Sequence, residues 1–296
     1  MTYPEQLVPH RLFDQHLSTS TGFASVQNLT DLHRELSIRY PLLKPNIYQT
    51  EVCEEEKVQR ERFSTMWSQW GEHTYQHNSL GFRDKEPLLD VGSCYYGCSQ
   101  TYAQGVPVAG RYGQQLDKIM GDTSNNFAMC GTGIDDTLQL FMATSNFIRM
   151  KRAVFNFPDI SRFTAPFMDD NNKGDVRYYS LMFTQQYRSI PLYKNHRNTI
   201  DKVYDTHHRL PLECLNDRMR NTVQMIAYIG ALKGIDIIMT SWTQHAYEAL
   251  MVFNKYPNTT WRLAPWVSPK IDIGRDGMHF GAYTHKAIAE SLAQVV

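Results

Sequence analysis

The sequence predicts an α/β fold, a parallel sheet covered by helices on both faces, on three observations. From Leu88 onward, short strand-like runs alternate with segments of helical spacing. That alternation is the pattern of βα units, in which crossover helices cover both faces of a parallel sheet. The 296-residue chain is long enough for one substantial core. It shows no internal repeat, no low-complexity tract and no linker long enough to separate a pair of domains.

The elements follow in order. Residues 1–77 read as an N-terminal extension that packs on the main domain. Asn28 to Tyr40 and Glu51 to Trp70 have helical spacing and are separated by the turn region Pro41 to Pro45. The aromatic end Met66 to Trp70 is expected to bury on the domain. Residues 78–296 form the main domain. A first strand is expected at Leu88 to Tyr95, a helix around Gly110 to Met120, a second strand at Asn126 to Met129 and a helix at Ile134 to Asn146. A third strand runs from Ala153 to Phe157. The polar, aromatic and poorly periodic stretch 163–211 after it is too long for an ordinary connection and reads as an insertion. A helix over Leu212 to Lys233, a strand at Ile235 to Ser241, a helix near Ala246 to Asn254, a short strand near Trp261 to Ala264 and a closing amphipathic helix from Ala282 complete the chain.

Thirty basic and thirty acidic side chains cancel, so no global field draws the chain to nucleic acid or to an anionic membrane. No apolar run approaches a membrane span, and Met1 to Glu5 lacks a secretory pattern; a soluble protein is expected, cytoplasmic or, if viral, carried on the particle. The five cysteines, at 53, 94, 98, 130 and 214, make no disulfide framework and complete no tetrahedral metal set, so buried free thiols and no metal are expected.

Two short segments carry the chemistry. Tyr96-Gly97-Cys98-Ser99-Gln100-Thr101 directly follows the first apolar run and reads as a strand ending in a tight turn. Such a turn presents the Ser99 hydroxyl where backbone N–H groups are free to hold a developing oxyanion. Asp276-Gly277-Met278-His279 puts a carboxylate three residues before an imidazole. That spacing lets the carboxylate fix the ring's tautomer, leaving the other nitrogen to take a proton from a serine. In an open α/β sheet, ligands bind beyond the carboxyl ends of the strands, where Ser99, Gly131 and the turn after Phe157 all fall.

Gly97-Cys98-Ser99, with Thr101 and Gly105-Val106, resembles the first sequence block of the SGNH (GDSL-like) hydrolases, and Asp276-x-x-His279 resembles their last. Asn78-Ser79-Leu80-Gly81-Phe82-Arg83 is similar to the lead-in many members carry, and Asn126 to Gly131 to their second block, whose glycine N–H serves the oxyanion hole. The resemblance covers roughly residues 78 to 296. It implies a three-layer αβα, flavodoxin-like sheet with an N-terminal helical extension and an insertion after the third strand. It also implies a serine esterase with Ser99, His279 and Asp276 as nucleophile, base and orienting acid, and no cofactor. The Ser99 and Gly131 N–H groups are then the oxyanion donors. The family's third block, Gly-x-Asn-Asp after a strand, is missing: Ala153 to Arg162 has the strand but not the motif, leaving Asn156 and Arg162 as candidates for the third donor. By resemblance the substrate is a small acyl ester, often an O-acetyl group on a carbohydrate such as an acetylated polysaccharide. Acyl transfer, and a non-catalytic structural or adhesion role such as one in a virus particle, stand as alternatives, with oligomer or particle assembly open.

Each of these residues has a rival. Ser93 follows Gly92 but lies within the apolar run. Asp272 needs a different loop path to the site, and His285 falls inside the terminal helix. His207-His208 are adjacent and do not share a face, so they read as surface histidines rather than metal ligands. Arg177-Tyr178-Tyr179 in the insertion sets aromatic faces beside a cation, a composition that suits sugar binding or a partner interface.

Overall fold

The computed structural model describes residues 26–39, 48–49, 75–168, 176–181, 201–202, 210–255, 259–267, 271–276 and 279–296. The expected helix over 51–70, the Met66 to Trp70 cluster and His207-His208 lie outside these residues.

The elements are α1 (Val26–Arg39), β1 (Tyr48–Gln49), β2 (Tyr75–Gln76), β3 (Asp90–Gly97), α2 (Ser99–Tyr102), α3 (Tyr112–Met120), β4 (Ser124–Asn126) and α4 (Ile134–Thr144). Then follow β5 (Arg149–Phe157), β6 (Phe163–Met168), β7 (Val176–Leu181), α5 (Leu212–Lys233), β8 (Asp236–Ser241), α6 (Gln244–Asn254), β9 (Trp261–Leu263) and α7 (Ala282–Ala293). The central sheet has five strands in the order β4-β3-β5-β8-β9. Every pair in it is parallel. Counting sheet strands along the chain, that order is 2-1-3-4-5, the flavodoxin-like arrangement.

Alternation along the strands builds a core on each face. Cys94, Tyr96, Phe155, Phe157, Ile237 and Met239 point to one side, where Phe141 of α4, Val223 and Ile226 of α5 and Leu250 of α6 cover them. Tyr95, Val154 and Ile238 point to the other, against Leu116 of α3 and Ile288 and Leu292 of α7. The three layers are thus explained by strands apolar at both parities. In α1, Leu32 and Leu36 join the first core, so this helix seals the α4 side of the molecule.

Several boundaries differ from expectation, each for a local reason. β3 starts at Asp90 rather than Leu88, because the Asn125 side chain accepts from Leu88 N at 3.0 Å and donates to Leu88 O at 2.7 Å. β4 is the buried polar triplet Ser124–Asn126, and the apolar Phe127 to Met129 follows it instead of forming the strand. The stretch expected to be irregular holds an antiparallel hairpin, β6–β7, in which Ala165, Pro166 and Phe167 pair with Tyr179, Tyr178 and Arg177. Cys94 and Cys98 are buried free thiols, but Cys130, in the turn after β4, and Cys214, at the start of α5, are exposed. No helix of the described residues is long and apolar enough to cross a membrane.

A buried ion pair locks the lead-in segment to the sheet. Arg111 Nη2 lies 2.9 Å from Asp84 Oδ1, with both side chains almost wholly shielded. Asp84 Oδ2 also accepts from Asn126 N at 2.7 Å, and Arg111 Nη1 donates to Arg83 O at 2.7 Å. Removing one partner strands the other charge in the interior, so Asp84→Ala is expected to cost about 3–5 kcal/mol in urea unfolding. A loss under about 1 kcal/mol would show the pair to be dispensable.

Candidate active site

The site is built where β3 runs out. Gly97 ends the strand in a place no side chain fits: a Cβ there would sit 2.2 Å from Thr101 Oγ1 and 2.6 Å from Asn156 O. Cys98 caps the four-residue helix α2, and its carbonyl accepts from Thr101 N and Tyr102 N, both at 2.9 Å. The helix closes at once through Ala103 in the left-handed region, φ 66°. Strand, sharp turn and one helical turn leave Ser99 as the first helical residue at the carboxyl edge of the sheet. β3 is also where the strand order reverses, with β4 on one side and β5 on the other, and such a switch point opens a crevice for ligands.

This turn is held from below. Arg83, fully buried, donates to the carbonyls of Ala103 and, at 2.8 Å, Val106, and its guanidinium lies 4.1 Å from the Tyr75 ring centre. Asn126 Nδ2 donates to Thr101 O at 3.1 Å. Arg83 was visible in the sequence only as one residue of a lead-in; its role as a brace for the turn depends on carbonyls some 20 residues away.

The loop after β4 is tied to the same strand end. Thr132 Oγ1 donates to Gly97 O at 3.1 Å and to Met129 O at 3.0 Å, and Met129 N donates to Gly97 O at 3.3 Å. Gly131 sits within that loop at φ 82°, a conformation glycine adopts without strain.

Asp276 and His279 form a closed pair; Gly277 and Met278 between them lie outside the described residues. Asp276 is fully buried. Its Oδ1 accepts from His279 N at 3.0 Å, and its Oδ2 meets His279 Nδ1. Nδ1 therefore carries the proton in the neutral ring, and Nε2 is left as an acceptor. Two bonds then dock this loop on the serine turn. Phe280 N donates to Gln100 Oε1 at 3.1 Å, and Arg275 N donates to Gly105 O at 2.7 Å. The residue after His279 is thus bonded to the residue after Ser99. Gly105, φ 82°, permits the approach, since a Cβ there would stand 2.7 Å from Asp276 Oδ1.

The rivals are engaged elsewhere. Ser93 is buried in mid-strand, where its hydroxyl accepts from Arg152 Nη1 at 3.1 Å. Asp272 accepts from Tyr283 N at 3.1 Å and Thr284 N at 2.8 Å, fixing the first turn of α7. His285 is wholly buried in α7, with Nδ1 accepting from Tyr112 N at 3.3 Å. Burial first, then the charges of Arg111, Arg83 and His279, hold its pKa down to about 3 from an ordinary 6.5. Because the folded value is the lower one, the unfolded chain takes up this proton first as pH falls. Stability from this group is complete above about pH 6.5 and drains away toward pH 3, at up to about 1.4 kcal/mol per pH unit. Comparing denaturant unfolding at pH 7 and pH 4.5, the wild type should lose roughly 2 kcal/mol more than His285→Gln; equal losses would contradict this.

The two candidates for a third oxyanion donor occupy different places. Asn156 stands within β5, between Gly97 of β3 and Thr240 of β8, and is almost fully buried. It lines a small cavity with Trp242, Phe280 and Ser291. Arg162 lies beyond the strand end, its guanidinium carbon 5.3 Å from the Trp242 ring centre. Trp242 was not singled out from the sequence, yet its Nε1 donates to Cys98 Sγ at 3.1 Å and its ring meets Phe280 edge-on. Arg177, Tyr178 and Tyr179 lie in β7 of the hairpin that begins directly after Arg162. Among the described residues, no group of three His, Cys, Asp or Glu side chains is disposed to hold a metal ion.

No family model and no curated protein matches the sequence. Among solved structures the chain is similar to TesA, at 11% identity and a TM-score of 0.42 over 69% of this chain and 96% of that one. It is also similar to a carbohydrate esterase family 2 enzyme with a carbohydrate-binding domain from Corynascus thermopiles (Myceliophthora fergusii), at 15% identity and a TM-score of 0.43, over 70% of this chain and 65% of that one. A GDSL-like lipase from Bacteroides thetaiotaomicron is similar over 81% of this chain and 97% of its own, at 11% identity and a TM-score of 0.38.

Proposed function

We propose that this chain is a serine esterase of the SGNH type, with Ser99 as nucleophile, His279 as general base and Asp276 as the acid that orients it. The observation that carries the reading is the docking of the Asp276–His279 loop on the serine turn through Phe280 N to Gln100 and Arg275 N to Gly105. A sharply turned serine, an imidazole with its carboxylate already in place, and a bonded seam between their neighbours support this reading, since acyl transfer needs the hydroxyl and the imidazole held side by side.

In this reading Ser99 Oγ attacks the ester carbonyl as His279 Nε2 takes its proton. Asp276 keeps Nδ1 protonated and stabilises the imidazolium that forms. The Ser99 and Gly131 N–H groups receive the tetrahedral oxyanion. The imidazolium returns its proton to the departing alcohol, and water, activated by the same histidine, then releases the acyl group. No metal or organic cofactor takes part in these steps. The resemblance of the motif blocks suggests a small acyl group, most often acetyl, on a carbohydrate, and the β6–β7 hairpin bearing Arg177, Tyr178 and Tyr179 is a candidate face for a large alcohol moiety.

The test is reaction with a fluorophosphonate followed by peptide mapping, alongside acetate release from acetylated polysaccharides. Label on the Ser99 peptide with acetate release supports the whole reading. Label without acetate release keeps the esterase and removes the carbohydrate. Absence of label together with no turnover of any short-chain ester would sink the catalytic reading and favour a structural role for the fold.

A further inference from the structure

We propose that Arg162, beside Trp242, is the anchor for a carboxylate on the ester substrate. The inference rests on the esterase reading and names the class of ester the site prefers. It begins from a charge that has no counter-ion among the described residues. Arg162 Nη1 is buried and has no hydrogen-bond partner among the described residues. Among the described residues, the carboxylates near it are committed elsewhere: Asp159 accepts from Ser161 N at 2.9 Å and from the Ser161 hydroxyl, and Asp135 faces Arg218 at 3.9 Å. Arg218 adds a second guanidinium, bonded to the carbonyls of Ile160 at 2.7 Å and Arg162 at 2.6 Å. Holding a guanidinium partly out of water with a donor unpaired is costly, and the cost is recovered when an anion arrives.

The place and the pose indicate what that anion is. The backbone of Arg162 is clasped, its N donating to Asp159 O at 3.1 Å and its O accepting from Arg218, and it lies so close to Gly133 that a Cβ there would be 3.0 Å from Arg162 O. The guanidinium carbon lies 5.3 Å from the Trp242 ring centre, within cation–π range. The indole face offers the guanidinium partial compensation without using its N–H donors, which remain suited to a planar, two-oxygen acceptor, the partner arginine binds best. Trp242 in turn is pinned to Cys98, the residue before Ser99. The anchor is therefore one aromatic ring removed from the nucleophile, a span that suits a carboxylate elsewhere on the same small ester.

The test compares paired esters on the full chain. 4-Nitrophenyl hemisuccinate carries its carboxylate on the acyl side, 4-acetoxybenzoate on the alcohol side, and 4-nitrophenyl butyrate and phenyl acetate are their neutral counterparts. The wild type is expected to prefer one charged ester over its counterpart at least tenfold in kcat/KM, and whichever arm shows the preference assigns the side. In Arg162→Gln that preference should fall at least tenfold, through KM rather than kcat, with partial recovery in Arg162→Lys. A wild type without preference for either charged ester overturns the proposal. So does an equal loss of kcat on charged and neutral esters in Arg162→Gln, which would make Arg162 an oxyanion donor instead. Binding of 4-acetoxybenzoate to the Ser99→Ala protein, followed by tryptophan fluorescence, separates the two readings. If no ester is turned over, the anchor still stands when this binding is seen and is lost with Arg162→Gln in the same background, and it falls when binding is absent or unaffected.

Discussion

Ser99→Ala is expected to lose fluorophosphonate labelling altogether and to lower kcat for 4-nitrophenyl acetate by about 10⁴-fold or more, with the thermal melt unchanged. The size follows from the site's geometry. Gly97, the Cys98 cap and Ala103 fix the turn through the backbone, so removing one hydroxyl leaves the scaffold standing and takes away the attacking atom. What remains is the pair of N–H donors assigned to the oxyanion, which supports only the residual rate such donors give over water. Label found on Ser93, or turnover within tenfold of wild type in Ser99→Ala, would refute the assignment.

The second large effect is one of non-additivity. His279→Ala is expected to cost nearly as much as Ser99→Ala, and the double variant no more than either alone, because a base without its nucleophile has no proton to take. Asp276→Asn should cost less, by roughly one to two powers of ten. Asparagine keeps the volume and retains an oxygen for His279 N, so the loop survives while the ring loses the partner that held its tautomer. Losses that multiply in the double variant would mean that Ser99 and His279 act separately, and kcat measured on all four proteins decides it.

How much of this was legible in the sequence varied with the range of the interaction that decides each feature. The αβα order and the paired cores were readable, because strand parity and helix spacing are local patterns. The serine turn and the Asp276–His279 pair were readable for the same reason, each lying within a few residues. β4 was misjudged because a search for apolar runs passes over Ser124, Asn125 and Asn126, buried polar residues whose hydrogen bonds go to Asp117, Leu88 and Thr101. The β6–β7 hairpin was missed because its strands lack a regular alternation. Arg83 and Trp242 are not legible as neighbours of the serine turn because their partners are far off in sequence: Cys98 lies 144 residues before Trp242. Nothing short of the fold brings them together.

The seam between Gln100 and Phe280 joins residues 180 positions apart. On a ribosome adding roughly 5–20 residues per second, the proposed base would follow the proposed nucleophile by about 10–35 seconds, after β5, α5 and β8 have already emerged. A nascent chain therefore carries its serine turn without its partner loop for that interval. With the triad proposed above, ester turnover begins only when this loop seats over Gly105, which makes it a clock for that docking step.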